Sequence, residues 1–274
     1  MTSTWAAASL PGAVTLLVGR RRLILAMAKR EITDRYAGQM LGGVWAVVHP
    51  LLVMAVYLFV FGFVFRMRIG GTSELPLDYT TYLLAGLVPW LSMQDALAKA
   101  PVSVTSNSGL VKQVVFPLEV LPIKSVLASL LPQVVSTTVL IAYVTVKFGV
   151  PPATYLLLPV LLLIQLGQMF GLALFLSAIG VYLRDLKDIV QVSMLLSMYL
   201  LPVFYLPSMV PELFRPLLYL NPFSYLIWSY QDVFYFGRID HPWAWVVATV
   251  LSLTWFVAGW LVFTRLKPMF GNAL

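Results

Sequence analysis

An uncharged stretch of 22 residues, at positions 44–65, constrains this chain more than any other feature of its sequence. A helix of this length crosses the hydrocarbon core of a bilayer, which is about 30 Å thick. A charged segment, residues 20–38, precedes the stretch, and Gly42-Gly43 lies between the two. The sequence therefore predicts a surface segment, a sharp turn and a membrane span in direct succession.

The low charge content extends this conclusion to the rest of the chain. Of the 274 residues, 60% are hydrophobic and only 11% are charged, whereas a soluble domain is usually about 25% charged. The chain has no cysteine, which excludes disulfides and cysteine catalysis. Its two histidines, His49 and His241, are far apart and match no metal-binding spacing. We predict an all-α polytopic membrane protein without a bound metal.

Hydropathy predicts six transmembrane helices, at residues 44–65, 80–98, 125–146, 153–180, 189–206 and 244–264. If both termini are cytoplasmic, the cytoplasmic segments hold 13 of the 18 basic residues. This asymmetry follows the positive-inside rule. It also accounts for the net charge of +7 without nucleic acid as a partner, because no basic patch interleaved with aromatic residues lies outside the spans.

The apolar segment at residues 217–236 raises the question of a seventh span. Asn221-Pro222 interrupts it, and three further prolines precede it within ten residues. We therefore expect two short re-entrant helices within residues 208–236, on the periplasmic side, rather than a crossing. A cysteine placed at Ser224 is then expected to react with reagents from outside the cell.

Two parts of the chain follow from this assignment. Residues 1–43 form a cytoplasmic N-terminal segment, and residues 44–274 form the six-span membrane domain. In the N-terminal segment, Ile24, Ala28 and Ile32 share one face at helical spacing while basic residues fall opposite, which is typical of an interfacial helix. Glu31 and Arg35 lie within the apolar arc, in the order that favours an ion pair. The helix is either a membrane anchor or an anchor that also contacts another protein subunit.

Two further cytoplasmic segments are candidates for contacts. Residues 106–124 combine an amphipathic piece with Phe116-Pro117 and Glu119, and exposed apolar residues in such a loop usually dock on something. They dock either on the chain's own helices or on a separate subunit. Residues 182–190 form a tight charged corner between spans four and five.

Polar and small residues inside the spans favour packing over ion transport. Gly167 and Gly171 are four apart in an apolar helix and permit close helix approach within one subunit, and Gln165 and Gln168 beside them can bond across helices. Asp95 and Lys99 can pair near the end of span two. No span places a carboxylate at mid-membrane, which disfavours an ion-coupled carrier.

Aromatic side chains are candidates for a pathway lining, because sugar rings stack their C–H faces on aromatic rings. The alternative for each is the aromatic belt found at membrane interfaces. The candidates are Tyr57, Trp90, Tyr199, Phe204 and Tyr205.

Enzymatic motifs are absent from the sequence. There is no phosphate-binding G-x-x-x-x-G-K-[ST] loop, no serine nucleophile elbow and no pair of catalytic acids. If the protein uses ATP, another chain hydrolyses it. A membrane-embedded glycan-processing enzyme would need an acidic or histidine cluster in a loop, which the sequence lacks.

Four segments together resemble a known family: KREITDRYAGQMLGGVWAVVHPLL, FPLEVLP, YLRDLKDI and LLPVFYLPSMVPELFRPLLYLNPFSYLI. They are similar to the membrane subunit of the ABC exporters for O-antigen, capsular polysaccharide and teichoic acid. The similarity runs from about Lys29 to the last span. It implies a permease of the bacterial cytoplasmic membrane that forms a homodimer and binds two cytoplasmic ATPase subunits.

The resemblance also implies roles for particular residues. The ATPase would meet Arg30, Glu31, Asp34, Arg35, Leu110, Val111, Phe116, Glu119, Arg184, Asp185 and Asp188. ATP and Mg²⁺ would bind in that partner, and this chain would hold no cofactor. The substrate would be a long glycan on a polyprenyl diphosphate or another lipid. From their charge alone, Arg20, Arg21 and Arg22 are candidates to bind the diphosphate. A permease for a drug or another lipid is the alternative within the same fold.

Overall fold

In a computed structural model, residues 10–65, 77–109 and 116–273 are described, and the regular structure within these ranges is entirely helical. We number the α-helices of this part α1 (Leu10–Gly19), α2 (Arg21–Arg35), α3 (Trp45–Tyr57), α4 (Tyr79–Lys99), α5 (Val120–Phe148), α6 (Leu158–Gly180), α7 (Leu186–Leu200), α8 (Arg215–Leu220), α9 (Ser224–Gln231), α10 (Pro242–Leu266) and α11 (Phe270–Ala273). Helix α3 continues as a π-helical segment, Leu58–Val64, and α9 continues as another, Asp232–Phe236. The turn before α3 contains Gly42 at φ 49°, as the Gly-Gly pair predicts.

Helices long and apolar enough to cross a membrane match four of the six predicted spans. They are Gly42–Val64, Val120–Phe148, Ala153–Gly180 and Pro242–Met269. The second predicted span corresponds to α4, which has 21 residues. The prediction of a fifth span up to residue 206 is wrong beyond Leu200, where α7 ends. Leu201 is extended there (φ −92°, ψ 150°) because it precedes Pro202, and proline disfavours a helical conformation in the residue before it.

Several contacts bring basic residues together at one end of the bundle, which we call the basic end. Arg35 of α2 pairs with Asp95 near the end of α4 at 3.1 Å, and Glu31 of α2 pairs with Lys124 in the first turns of α5 at 3.3 Å. Lys267, just after α10, also lies there. Helix α2 is thus fixed across the end of α4 and the start of α5.

The opposite end of the bundle, the far end, holds the start of α4 and the end of α5. Asp78, which caps α4 by accepting a hydrogen bond from the Thr81 amide, also pairs with Lys147 of α5 at 2.6 Å. Just before α6, Tyr155 donates a hydrogen bond to the Phe234 carbonyl at the end of the α9 segment. Consecutive long helices therefore run in alternating directions between the two ends.

Helix α4 lies at the centre of the core and packs against α5, α6, α7 and α9. Most of its side chains, including Leu83 and Trp90, are buried. Helix α3 is much less covered, because its Leu52 and Val56 remain exposed, as does Phe59 in the π-helical segment that follows. The bundle thus has a tightly packed centre, whereas much of the apolar surface of α3 is not covered by other helices.

Helices α6 and α10 pack backbone to backbone through glycine. A Cβ added at Gly171 would lie 2.2 Å from the carbonyl carbon of Trp255, and one added at Gly259 would lie 1.9 Å from the Gly171 oxygen. Gly167 faces Ser252 in the same interface. The predicted role of Gly167 and Gly171 in close packing within one chain is confirmed.

Residues 208–236 contain two short helices, α8 and α9, as the sequence predicts. The chain leaves the far end after Phe204, whose carbonyl accepts a hydrogen bond from Tyr79 at the start of α4. At the start of α9, Phe223 packs edge-on against Trp90, at the middle of α4, with ring centroids 5.3 Å apart. The prediction that Ser224 is accessible is wrong, because its side chain is completely buried at this depth.

Candidate pathway and coupling sites

An aromatic cluster joins α3 to the segment after α7 near the far end. We define it as Tyr57, Phe61, Tyr199, Phe204 and Tyr205. Phe204 stacks on Phe61 with centroids 4.3 Å apart and on Tyr57 at 5.8 Å. Tyr199 lies 5.9 Å from Phe204 and is 57% exposed. Four of the five predicted pathway residues thus meet in one cluster, in which Tyr199 is exposed and Phe204 is buried. Phe61 was missed, although its position four residues after Tyr57 on a helix was a usable signal.

The fifth predicted pathway residue, Trp90, lies elsewhere. Its side chain is completely buried in the centre of the bundle and packs on Phe223. Its indole nitrogen has no hydrogen-bond partner within the described part of the chain. Trp90 therefore offers no surface to a pathway in this conformation.

A polar cavity of about 340 Å³ lies between α3, α4, α5 and α7 and begins at the basic end. Arg35 and Asp95 line its mouth, and Ser92, Gln133 and Ser136 line its deeper part. Ser136 is about 24 Å along α5 from its first residue, at 1.5 Å per residue. The cavity thus reaches hydroxyl and amide groups within the apolar layer, where the protein itself satisfies them, since Ser92 donates to the Ser129 carbonyl and Gln133 donates to Gln165.

A charge cluster at the mouth of this cavity has one excess positive charge. Asp95 binds Lys99 at 2.5 Å and Arg35 at 3.1 Å, so one carboxylate faces two cations. The predicted Asp95–Lys99 pair is confirmed. The predicted pairing of Glu31 with Arg35 is wrong, since Glu31 binds Lys124 and accepts a hydrogen bond from Ser125 at 3.1 Å. Glu31 and Arg35 thus each bind a residue on another helix, because α2 crosses those helices at close range.

The outward face of α2 carries a second pair. Arg30 and Asp34 lie 3.4 Å apart, with side chains 82% and 64% exposed. An exposed pair of this kind contributes only about 0.3–0.5 kcal/mol, so both groups can turn to a partner at little cost. Of the four charged residues of α2 in the predicted ATPase contact, these two face away from the bundle, while Glu31 and Arg35 face into it.

The other predicted coupling residues differ in exposure. Leu110 and Val111 lie outside the described residues. Phe116 is half-buried, and Glu119 is 3% exposed, with its carboxylate 2.8 Å from Lys267. The charged corner is exposed at Arg184, Asp185 and Asp188. Glu119 thus presents its carboxylate to its own chain, whereas the corner is open to a partner.

The basic residues at the junction of α1 and α2 are all exposed. They are Arg20, Arg21 and Arg22. They stay candidates for binding an anionic headgroup.

A hydrogen-bonded polar node lies in the apolar centre of the bundle. Gln133 of α5 and Gln165 of α6 exchange hydrogen bonds of 2.8 and 3.0 Å, and the Tyr230 hydroxyl donates to Gln165 at 2.5 Å. The predicted bonding of Gln165 across helices is confirmed, but its partners were missed. Gln168 is also buried, and its amide has no partner among the described residues.

A buried carboxylate near the far end was also missed. Asp232 is completely buried and accepts hydrogen bonds from the His241 amide at 3.1 Å and from the Trp245 indole at 3.0 Å. Its other oxygen lies 2.7 Å from Nδ1 of His241. These bonds tie the end of the α9 segment to the start of α10.

The sequence of this chain matches a family of known proteins. Residues 22–235 match the family described as ABC-2 type transporter. The chain belongs to the ABC-2 type transporter family. The family match confirms the resemblance drawn from the sequence motifs. The ABC-2 chain is therefore a multi-pass protein of the bacterial inner membrane.

Relatives of the ABC-2 chain match over nearly its full length. It is 28% identical over 254 residues to the O-antigen export system permease protein RfbA of Klebsiella pneumoniae, covering 92% of this chain and 95% of the relative. It is 32% identical over 240 residues to a protein of the same name from Myxococcus xanthus, covering 86% and 89%. These relatives are named as permeases, so the ABC-2 chain is similar to transport subunits throughout its membrane domain.

Proposed function

We propose that the chain is the transmembrane subunit of an ATP-driven exporter that moves a lipid-linked polysaccharide of the O-antigen type across the bacterial cytoplasmic membrane. One observation carries this proposal. The similarity to O-antigen export permeases covers 92% and 86% of the chain in the two relatives described above, so it includes both the basic end and the aromatic cluster.

The topology that fits this function has six crossings, with the basic end and both termini in the cytoplasm. Alternating helix directions support it, as does the return of residues 208–236 to the far end. In this arrangement α8 and α9 enter the membrane from the periplasm and leave on the same side. The hydrogen bonds that Thr154 and Tyr155 donate to the Val233 and Phe234 carbonyls support the re-entrant assignment, because backbone at membrane depth needs protein partners for its polar groups.

The energy source in this proposal is a separate ATPase, of which two copies bind a homodimer of this chain. ATP and Mg²⁺ bind in those subunits, since this sequence has no phosphate-binding loop. The exposed Arg30–Asp34 pair and the corner at Arg184–Asp188 are the contacts we assign to the ATPase. Glu31 and Arg35 act differently, by fixing α2 to α4 and α5.

The polysaccharide passes between the two subunits, along the aromatic clusters. The exposed ring of Tyr199 and the half-buried ring of Tyr57, which stacks on the buried Phe204, suit the C–H faces of sugars. The lipid headgroup enters from the basic end, where exposed Arg20–Arg22 and the net positive mouth of the polar cavity attract phosphate.

The decisive experiment is to purify the tagged protein with the products of neighbouring genes and to assay ATP hydrolysis in lipid. A stoichiometric ATPase that responds to lipid-linked glycan is the expected result. A stable complex without an ATPase would overturn the proposal and favour an ion-coupled carrier.

A second measurement separates glycan export from export of a drug or another lipid. Tyr57→Ala combined with Tyr199→Ala should block export of long glycans and spare small solutes. The matched control is Phe59→Ala, which removes an exposed aromatic side chain outside the aromatic cluster, 61% exposed. Equal loss of glycan and small-solute transport would favour the alternative substrate class.

A further inference from the structure

The chain folds back on the basic end after α10. Lys267–Met269 form a 3-10 turn, and α11 follows it. Phe270, the first residue of α11, is completely buried, with its ring 5.4 Å from Phe263 and 6.3 Å from Tyr182. A terminal aromatic side chain that is buried this fully holds its segment in place.

Phe270 belongs to a small apolar cluster that is separate from the main core and joins three parts of the chain. Val104 and Leu118 come from the two sides of the cytoplasmic segment between α4 and α5, and Val181 comes from the corner after α6. Phe263 of α10 completes the contact. The C-terminal segment is thus packed between the two cytoplasmic segments of the membrane domain.

An ion pair reinforces the same junction. Lys267 binds Glu119 at 2.8 Å, and the side chain of Glu119 is only 4% exposed. Its second oxygen has no hydrogen-bond partner in the described part of the chain. Removing Lys267 would leave a buried carboxylate without its counter-ion, which is a strongly unfavourable state.

The two cytoplasmic segments also touch directly. A Cβ added at Gly180 would lie 2.0 Å from the Pro101 carbonyl oxygen, so the backbones are in contact. Among the described residues, three features hold this junction: the direct packing of residues 100–102 against α6 and α7, the Phe270 cluster, and the Lys267–Glu119 pair, which ties residues 116–119 to the C-terminal segment. Two of the three depend on the C-terminal segment.

We propose that the C-terminal segment, residues 267–273, clamps the two cytoplasmic segments into one rigid unit, so that a displacement at the ATPase reaches both together. This inference rests on the proposed function, because it concerns how that exporter is coupled. Lys267 and Phe270 are positioning residues in it and touch neither substrate nor nucleotide.

The test is a charge exchange in the reconstituted complex with its ATPase. Lys267→Glu should lower the amount of glycan exported per ATP hydrolysed several-fold while the ATPase still co-purifies. Glu119→Lys should lower it in the same way. The double exchange should restore the amount of glycan exported per ATP, because it re-forms the ion pair; if the variants acted only by removing a contact, the double exchange would not restore it. Met269→Ala, at a neighbouring residue that is 48% exposed, is the control and should leave the ratio unchanged. The clamp would be overturned if both single variants exported as much glycan per ATP as the wild type. It would also be overturned if the double exchange exported no more glycan per ATP than the single variants.

A second measurement does not depend on the transported substrate. Because the chain has no cysteine, spin labels at Ser106 and Arg184, which are both exposed, report the distance between the two cytoplasmic segments. We expect one narrow distance distribution, and a broad one after Phe270→Ala. An unchanged distribution in the variant would refute the clamp. If no ATPase co-purifies with the wild-type protein, the proposed function fails, while this distance measurement still decides the clamp.

Discussion

Replacing Gly171 with alanine should separate α6 from α10. The new Cβ would lie 2.2 Å from the Trp255 carbonyl carbon, whereas ordinary contact begins at 3.4 Å. The backbones must therefore move apart by roughly 1 Å, since no side-chain rotation relieves a clash with backbone. Overpacking of this kind costs about 1–3 kcal/mol. For a chain of this size, each kcal/mol lowers the melting temperature by about 2–4 °C.

The assay is thermal unfolding of the detergent-solubilised protein, followed by size-exclusion chromatography of a fluorescent fusion. Gly171→Ala should lower the melting temperature by on the order of 5 °C. Gly62→Ala is the matched control, because a Cβ at Gly62 meets nothing within 4 Å. Alanine is the better helix former, so the control should be neutral or slightly stabilising.

A double variant tests whether Gly171 and Gly259 act at the same contact. Gly259→Ala strains the same contact from the other side, 1.9 Å from the Gly171 oxygen. Because either change alone already separates the helices, the two together should cost less than their sum. A Gly171→Ala protein that melts with the wild type would refute the close-packing argument.

Three further predictions concern other contacts. Cysteines at Gly167 and Ser252 should form a disulfide under mild oxidation, because their Cβ atoms would be 3.7 Å apart; a protein that cannot be cross-linked, as judged by linked proteolytic fragments, would contradict the α6–α10 register. Burial opposes ionisation of Asp78, but hydrogen bonds, foremost that from Lys147, outweigh it and lower the pKa. Asp78 thus stabilises the fold fully above its unfolded pKa of about 4, and this stabilisation is lost as the pH falls from there through the lower folded pKa. The melting-temperature difference from Asp78→Asn should therefore be constant between about pH 5 and pH 7 and shrink progressively below about pH 4. Asp232→Ala should destabilise the protein by several degrees because three donors lose their acceptor, and an unchanged melting temperature would argue against that role.

Features that depend on neighbouring residues were predictable from the sequence. Uncharged length located the four spanning helices, and small residues four apart located a close helix contact at Gly167 and Gly171, although not its partner helix. The Asp95–Lys99 pair follows from helical spacing alone. In each case the sequence within one helix contains all of the required information.

Features that depend on distant partners were not predictable. Arg35 binds Asp95, 60 residues away, in preference to Glu31 one turn before it. Tyr230 bonds to Gln165 across 65 residues, and nothing in either local sequence singles out the partner. The local sequence of Trp90 is equally compatible with a pathway-lining residue and with a core residue. Its burial is apparent only from the packing of α9 against α4.

The uneven packing of the bundle has a mechanical consequence. Helices α4, α5, α6, α9 and α10 are joined by backbone contacts and by buried amide bonds that lipid cannot replace, so they form a stiff frame. Helix α3 packs along α5, where Met54 is buried, and is also held through ion pairs of the preceding α2 at one end and aromatic rings at the other. The rest of its apolar surface, including Leu52 and Val56, faces away from the frame. Among the described residues no glycine contact or buried amide bond joins α3 to the frame, so α3 can tilt without breaking one, whereas separating α6 from α10 would break their glycine contact.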